Sequence, residues 1–269
     1  MIVPGSSSQQ LAAALADETG RPLATATYDR FPDGERLAAV PEFDGREAVV
    51  VATTDSDEAW VELLQLQDAV REAGAERVTT VIPYMGYARQ DESFGEGQPV
   101  SARAMARAIS TGTDRVVLIN PHEPAVGEFY SVPVETVDAA NVLAGPLSAL
   151  RDPLFLAPDQ GAIEIAATVR DAYGGGETDH FVKDRDYDSG AVTITPSDAA
   201  VAGRDVVVVD DIVATGSTMS ESIGVLHGRD ADAVFVACVH PLLARNARTK
   251  LERAGVAGIH ATDTVERDV

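Results

Sequence analysis

The stretch "VVVVDDIVATGSTM" at residues 206–219 joins four valines to two adjacent aspartates and a short loop rich in hydroxyl groups. Four consecutive valines predict a strand that is buried on both faces, as in the centre of a parallel α/β sheet. Asp210 and Asp211 then lie at the carboxyl end of that strand, where open α/β sheets bind their ligands. The stretch therefore predicts an α/β fold with a ligand site beside two carboxylates.

The loop after the aspartates has the composition of an anion site, and its residues are Ala214, Thr215, Gly216, Ser217 and Thr218. Gly216 permits close approach of the backbone, and Ser217 or Thr218 is available to cap the next helix. Backbone N–H groups and a helix dipole meet at such a turn and suit a phosphate. The loop is not a Walker motif, because no Gly-Lys-Ser/Thr follows. A capped helix with two solvated aspartates is the alternative interpretation.

These residues resemble the phosphoribosyl diphosphate loop of the type I phosphoribosyltransferase fold. The resemblance implies that Asp210 and Asp211 bind the hydroxyls of a ribose, which suits ionised carboxylates because they accept hydrogen bonds strongly. It also implies that residues 214–218 surround the 5-phosphate of the same sugar. The fold class is thereby indicated, but the reaction is not.

The amino-acid composition bears on which partners the chain can bind. The chain has 269 residues, a formal net charge of -22 and two lysines, Lys183 and Lys250. This charge disfavours nucleic acid and anionic membranes as partners. It indicates adaptation to a salt-rich cytoplasm, where charges are screened within about 3 Å at 1 M salt; an ordinary acidic cytosolic protein is the alternative. We expect a cytoplasmic protein, because no basic leader and no long apolar segment is evident.

Strand and helix patterns alternate along the chain, which predicts parallel βαβ units. A long helix is expected at residues 56–74 with Asp55 as its cap, and the pattern restarts after a segment rich in glycine and proline. We therefore predict an α/β protein with two similar phosphoribosyltransferase-type domains, residues 1–145 and 146–269. Each has a mainly parallel sheet flanked by helices. Cys238 lies in an apolar run and is expected to be a buried small hydrophobic residue.

Five further stretches are rich in polar or turn-forming residues. They are "FPDGE" (31–35), "IPYMGYARQDESFGEGQPVSAR" (82–103), "LINPHEPAVGEF" (118–129), "FLAPDQGAIEIA" (155–166) and "FVKDRDYDSG" (181–190). The second is long for a loop in a compact domain, and such loops are usually functional. The fourth places Asp159 at a strand-to-helix turn suited to an anion or metal. The fifth is expected to carry Lys183 and Arg185 into a polar loop. His122 taken alone is more often structural than a ligand.

In this order, the six stretches resemble the ribose-phosphate pyrophosphokinase family in its archaeal form, over nearly the whole chain. The resemblance implies transfer of the diphosphoryl group of ATP to the 1-hydroxyl of ribose 5-phosphate, with Mg²⁺ as cofactor. The roles that it implies are ATP binding for Phe31, Asp33, Glu35, Arg89, Gln90 and Asp91, metal binding for His122 and Asp159, and catalysis by Lys183 and Arg185. It also implies a homo-oligomer, in which residues 31–35 reach the nucleotide site of a neighbouring subunit.

Two alternatives belong to other classes of function. A phosphoribosyltransferase would use the loop at residues 214–218 without needing residues 89–91 or a second domain. A non-catalytic regulatory relative would keep the fold, and loss of the Lys183 and Arg185 pair or of His122 would favour it; all three residues are present. Lys250 lies in the helical run "ARTKLERAG" and is expected to face solvent.

Overall fold

The computed structural model describes residues 1–147, 149–185, 192–196 and 199–269, without the side chains of residues 183–185 and 192–195. The chain forms two compact units. They are Met1–Asp138 with Asp263–Glu266, and Ala139–Thr262 with Arg267–Val269. The predicted domain boundary between residues 145 and 146 stays a prediction.

The first unit is built on a parallel sheet. Its strands and helices are β1 (Ile2–Pro4), α1 (Gln9–Thr19), β2 (Thr27–Arg30), β3 (Arg36–Ala39), β4 (Glu47–Val51), α2 (Asp57–Glu72), β5 (Arg77–Ile82), α3 (Ser101–Ile109), β6 (Arg115–Ile119) and β7 (Val134–Val137), with a 3₁₀ helix at Pro124–Phe129. The sheet order is β1-β4-β5-β6-β7, and every pairing is parallel. Strands β2 and β3 form a separate antiparallel hairpin.

The apolar residues of helix α2 pack into the core of the first unit. Trp60, Leu63 and Val70 lie on its buried side and belong to the core of the first unit. The prediction that Asp55 caps this helix is wrong, because the helix begins at Asp57 and the preceding Ser56 is the N-cap. The Ser56 side chain accepts a hydrogen bond from the backbone N–H of Ala59 at 3.2 Å.

The second unit has a six-stranded sheet. Its strands and helices are β8 (Leu154–Ala157), α4 (Ile163–Tyr173), β9 (Glu177–Arg185), β10 (Val192–Pro196), β11 (Asp205–Ile212), α5 (Ser217–His227), β12 (Ala233–His240), α6 (Ala247–Ala254) and β13 (Gly258–Ala261), with 3₁₀ helices at Ala140–Ala144 and Gln160–Ala162. The order is β10-β9-β8-β11-β12-β13, and only the β9–β10 pairing is antiparallel among these strands. Two α/β units with mainly parallel sheets confirm the predicted fold class.

Strand β11 lies between β8 and β12, and its four valines are fully buried. The prediction of a strand covered on both faces is therefore confirmed. Cys238 on β12 is also fully buried, as expected, and burial raises the pKa of its thiol. The backbone of residues 181–185 continues β9 instead of entering a loop, because pairing with β10 extends the strand through a polar sequence.

Among the described residues, no helix combines the length and the apolar character needed to cross a membrane.

Residues Asp263–Glu266 provide the cap of α1. The Glu266 carboxylate accepts hydrogen bonds from the backbone N–H groups of Gln10 at 2.6 Å and Leu11 at 3.1 Å. Ser8, the N-cap residue, makes no side-chain cap bond, because its hydroxyl accepts the backbone N–H of Thr53 at 2.8 Å. A negative charge at a helix N-terminus is favourable, so Glu266 stabilises the start of α1.

Replacing Glu266 with alanine should therefore destabilise α1 by about 1 kcal/mol, the usual cost of a lost cap. Hydrogen exchange should show faster exchange at the Gln10 and Leu11 amides than in the unmodified protein. The matched control is Glu18→Ala at the other end of the same helix, where a negative charge is unfavourable and its removal should not destabilise. Unchanged protection of Gln10 and Leu11 would contradict this role for Glu266.

Candidate active site

Three carboxylates of the second unit follow or end two neighbouring parallel strands. Asp159 comes just after β8, and Asp210 and Asp211 lie near the end of β11. Asp159 accepts the backbone N–H of Gly161 at 3.1 Å, which caps the following 3₁₀ helix. Asp210 accepts the backbone N–H of Asp211 at 3.0 Å. The parallel pairing thus brings the predicted metal residue and the predicted ribose residues to one edge of the sheet.

Negative charge accumulates at this edge. Burial raises the pKa of Asp210 well above its usual range, and the neighbouring charge and hydrogen bond of Asp211 add to the effect. The charge of Asp159 raises the pKa of Asp210 further, although to a smaller extent. The edge therefore favours any ligand that brings hydrogen-bond donors or positive charge.

The donor set suits Mg²⁺ in part. A carboxylate oxygen, such as those of Asp159, is the kind of donor that Mg²⁺ prefers, whereas the imidazole of His122 is better suited to a metal-bound water. His122 is exposed between β6 and the following 3₁₀ helix of the first unit. Within the part of the chain that the structure describes, no three His, Cys, Asp or Glu side chains form a metal cluster.

The loop at residues 214–218 has the backbone expected of an anion site. Gly216 is the N-cap of α5 and adopts a left-handed conformation with φ of 68°. A Cβ at this position would lie 3.2 Å from the carbonyl oxygen of Ala247, so both the backbone conformation and the limited space favour glycine. The prediction that Ser217 or Thr218 caps α5 is wrong, because Gly216 holds the cap position and Ser217 is already the first helical residue.

Lys250 of α6 contacts this loop, which the local sequence pattern does not indicate. Its Nζ lies 3.2 Å from the carbonyl oxygen of Thr215 and 3.0 Å from the Oγ of Ser217. The side chain is partly buried, and the expectation that it simply faces solvent is wrong. The scarcity of lysine in the chain could have drawn attention to Lys250. The packing of α6 against the loop cannot be predicted from the local sequence pattern.

In the first unit, residues 31–35 form the turn of the β2–β3 hairpin. Gly34 has φ of 96°, and the backbone N–H of Glu35 donates to the Asp33 carboxylate at 3.1 Å. Phe31 is 47% exposed, so its ring is available to a ligand or a partner. Arg30 and Arg36 flank the turn, and both form ion pairs with Glu58 of α2. The hydrogen bond from Arg36, followed by that from Arg30, lowers the pKa of Glu58.

The loop between β5 and α3 carries Arg89, Gln90 and Asp91. Gln90 is held at the start of α3, where its backbone oxygen accepts the N–H of Ala102 at 3.1 Å and its amide oxygen accepts the Ser101 hydroxyl. Arg89 is exposed and makes no hydrogen bond or ion pair to a described residue. Arg89 is thus available to a phosphate, while Gln90 also positions the loop.

The same loop begins at a tightly packed point. A Cβ on Gly86 would lie 2.2 Å from the carbonyl oxygen of Thr54, so only glycine fits there. The Tyr87 hydroxyl donates to Asp57 in the first turn of α2. Since Glu58 of that turn binds the hairpin arginines, α2 ties both predicted nucleotide segments of one chain together.

The backbone of Lys183 and Arg185 lies in β9 beside β10. Their side chains are outside the described part of the structure, as are residues 186–191 between the two strands. Their catalytic role stays a prediction.

Fold and site together define a protein with two phosphoribosyltransferase-type domains. Residues 1–112 match the profile of the N-terminal domain of ribose phosphate pyrophosphokinase, and residues 147–265 match the phosphoribosyl transferase domain. The structure resembles that of phosphoribosylpyrophosphate synthetase from Mycobacterium smegmatis with a TM-score of 0.84 and 25% identity, covering 98% of this chain and 89% of that one.

Similar sequences identify the family. A ribose-phosphate pyrophosphokinase of Halobacterium salinarum is 61% identical over 268 residues, which cover 99% of this chain and 94% of the relative. One from Methanosarcina mazei is 43% identical over 269 residues, covering 99% and 89%. The chain belongs to the ribose-phosphate pyrophosphokinase family, and the predicted archaeal, halophilic type is confirmed.

The raised pKa of Asp210 predicts how stability depends on pH. A carboxyl whose pKa is higher in the folded than in the unfolded state stabilises the fold at low pH, and this stability is lost as pH rises above about 4, the unfolded value. Asp210→Asn should therefore raise the free energy of unfolding at pH 7 in the absence of ligands and metal, with a smaller gain near pH 5. Denaturant titrations at several pH values measure this.

Asp205 on the same strand is the matched control. Its carboxylate accepts the backbone N–H of Arg151 at 2.6 Å, so Asp205→Asn should not stabilise the protein. A gain of equal size in both variants, or no gain for Asp210→Asn, would show that burying the Asp210 charge beside Asp211 is not a cost of folding.

Proposed function

We propose that this chain transfers the diphosphoryl group of ATP to the 1-hydroxyl of ribose 5-phosphate, which yields 5-phosphoribosyl 1-diphosphate and AMP in a salt-rich cytoplasm. The observation that carries the proposal is the meeting of Asp159, Asp210 and Asp211 at one sheet edge that leads into the loop at residues 214–218. The match of residues 1–112 to the N-terminal pyrophosphokinase domain favours this reaction over that of a simple phosphoribosyltransferase.

Asp210 and Asp211 bind the ribose hydroxyls in this proposal. The hydroxyls donate to the carboxylates and offset the burial and repulsion that raise the pKa of Asp210. The 5-phosphate lies at the start of α5, where Gly216, Ser217 and Thr218 offer backbone N–H groups and hydroxyls. Sugar and phosphate are therefore recognised by adjoining parts of one strand–loop–helix segment.

Asp159 in the second unit and, separately, His122 in the first unit are proposed to serve the Mg²⁺ that accompanies the substrate phosphates. When bound, Mg²⁺ would supply positive charge beside the diphosphoryl group. Asp159 is held for this role by the backbone N–H of Gly161.

ATP is bound by the two loops of the first unit. Arg89, exposed and without a described partner, contacts a phosphate with Asp91 beside it, and Gln90 keeps the loop at the start of α3. Phe31, Asp33 and Glu35 reach the nucleotide of a neighbouring subunit, so the active form is a homo-oligomer. The exposure of Phe31 supports this arrangement.

The chemical step consists mainly of positioning and charge stabilisation. The oxygen of the 1-hydroxyl bonds to the β-phosphorus of ATP, the bond from that phosphorus to the oxygen bridging to the α-phosphorus breaks, and AMP leaves with the bonding electron pair. The hydroxyl proton passes to solvent or to a carboxylate at the sheet edge. Lys183 and Arg185 close on the transferred group as its charge develops.

Incubation with ATP, Mg²⁺ and ribose 5-phosphate in high salt should give AMP and phosphoribosyl diphosphate in equal amounts, and chelation by EDTA should abolish both. The products are separated by anion-exchange chromatography. Because a single phosphoryl transfer would release ADP, formation of ADP in place of AMP at every salt concentration would refute the proposed function.

Lys183→Ala should lower kcat by about 100- to 1,000-fold with little change in the Michaelis constants, because a contact made only in the transition state affects turnover alone. Lys183→Arg should recover only part of the activity, since a planar guanidinium does not replace a compact ammonium group. Steady-state kinetics in high salt measure both. A Lys183→Ala enzyme with normal kcat would exclude the catalytic role.

A further inference from the structure

Lys250 contacts the loop proposed to bind the 5-phosphate, although it lies 35 residues from Thr215 along the chain. It is the fourth residue of α6, and its ammonium group donates to the carbonyl oxygen of Thr215 at 3.2 Å and to the Oγ of Ser217 at 3.0 Å. The side chain is partly buried. One cation therefore holds two successive parts of the loop.

The segment that leads into α6 braces the same loop through its backbone. The N–H of Ala244 donates to the carbonyl oxygen of Ala214 at 2.8 Å, and that of Leu243 donates to the carbonyl oxygen of Val213 at 3.0 Å. Ala247, the first residue of α6, packs against Gly216 so closely that a Cβ there would approach its carbonyl oxygen to 3.2 Å. The position of Lys250 relative to the loop is thus set by several contacts, not by a flexible side chain alone.

Both hydrogen bonds of Lys250 orient donors of the loop. In a trans peptide the C=O and N–H groups point in opposite directions, so a Thr215 carbonyl held by Lys250 directs the Gly216 N–H away from the lysine. An ammonium group only donates, so the Ser217 oxygen accepts and its hydroxyl hydrogen stays available to another acceptor. Lys250 thus occupies two acceptor groups of the loop and none of its donors, so the backbone N–H of Gly216 and the hydroxyl of Ser217 remain for an anion.

The loop also needs positive charge. The chain has a formal net charge of -22, and Asp210 and Asp211 precede the loop by only a few residues. A sugar phosphate approaching such a surface is repelled unless a local cation offsets the field. Residues 214–218 include no cationic side chain, so the ammonium of Lys250 supplies this charge from α6.

We infer that Lys250 is a positioning residue for the 5-phosphate of the acceptor, acting through Thr215 and Ser217. The inference rests on the proposed function and deepens it, because it assigns to the second lysine of the chain a role in acceptor binding that is distinct from the transition-state role of Lys183. Loss of Lys250 weakens the hold on ribose 5-phosphate and leaves the nucleotide site unaffected.

The test compares Lys250→Met with Arg253→Met. Arg253 is an exposed residue of the same helix, so both changes remove one positive charge and leave a side chain of similar length. Lys250→Met should raise the KM for ribose 5-phosphate by about 10- to 100-fold, the range expected for a lost hydrogen bond to a charged group. The kcat and the KM for ATP should change by less than about threefold, and Arg253→Met should change none of them.

Chemical rescue distinguishes the loss of the positive charge at residue 250 from a folding defect caused by the substitution. In Lys250→Cys the new thiol can be aminoethylated with 2-bromoethylamine, which attaches an ammonium group through a new C–S bond with loss of bromide and a proton. Cys238 is fully buried and its thiol pKa is raised, so it should not react. The KM for ribose 5-phosphate should be high before the reaction and close to the unmodified value after it.

Three results would overturn the inference: an unchanged KM for ribose 5-phosphate in Lys250→Met, an equal rise in the KM for ATP, or failure of aminoethylation to restore the KM. The inference stays testable even if Lys250→Met folds poorly, because the KM of the cysteine variant is compared before and after its own modification. Absence of AMP and phosphoribosyl diphosphate with the unmodified protein would instead refute the proposed function.

Discussion

Parallel pairing of β11 with β8 and β12 decides where the polar groups of the second unit lie. Val206, Val207 and Val208 pair with residues of both neighbouring strands and are fully buried, so the strand has almost no freedom to shift. Parallel strands end at a common edge, and the carboxylates that follow the valines must gather there. The burial that stabilises the sheet is therefore also what crowds Asp159, Asp210 and Asp211 together.

A second constraint is the charge of a polyanionic protein whose substrates are anions. Several arginines of the first unit are already paired, for example Arg30 and Arg36 with Glu58 and Arg115 with Glu135. Such exposed pairs add little stability, and less in high salt, but they leave few cations available to phosphates. Arg89 and Lys250 have no carboxylate partner among the described residues. Arg89 lies on a loop proposed to bind phosphate, and Lys250 contacts such a loop from helix α6.

The sequence predicted what depends on local pattern. The buried strand, the position of the aspartates and the need for glycine at Gly216 all follow from periodicity and backbone sterics. The cap residues were wrong by one or two positions, because Ser56 and Asp55 are both good caps and only the backbone decides between them. Lys250 and the bond of Gln90 to Ser101 depend on packing between segments distant in sequence or on how a loop closes, which no local pattern contains.

The two ends of a bound ribose phosphate would meet opposite conditions. At the sugar end, burial and repulsion raise the pKa of Asp210, so the carboxylates are costly until hydroxyl donors or a metal arrive. At the phosphate end, the bonds from Lys250 and Ala244 already hold the loop in one shape, which reduces the entropy lost on binding. A ligand with both a ribose and a phosphate would offset the unfavourable carboxylate cluster and also bind the preorganised loop. Inorganic phosphate or ribose alone would gain only one of these two contributions. In the proposed site, selection for the whole sugar phosphate would follow from placing an unfavourable carboxylate cluster beside the preorganised loop that follows β11.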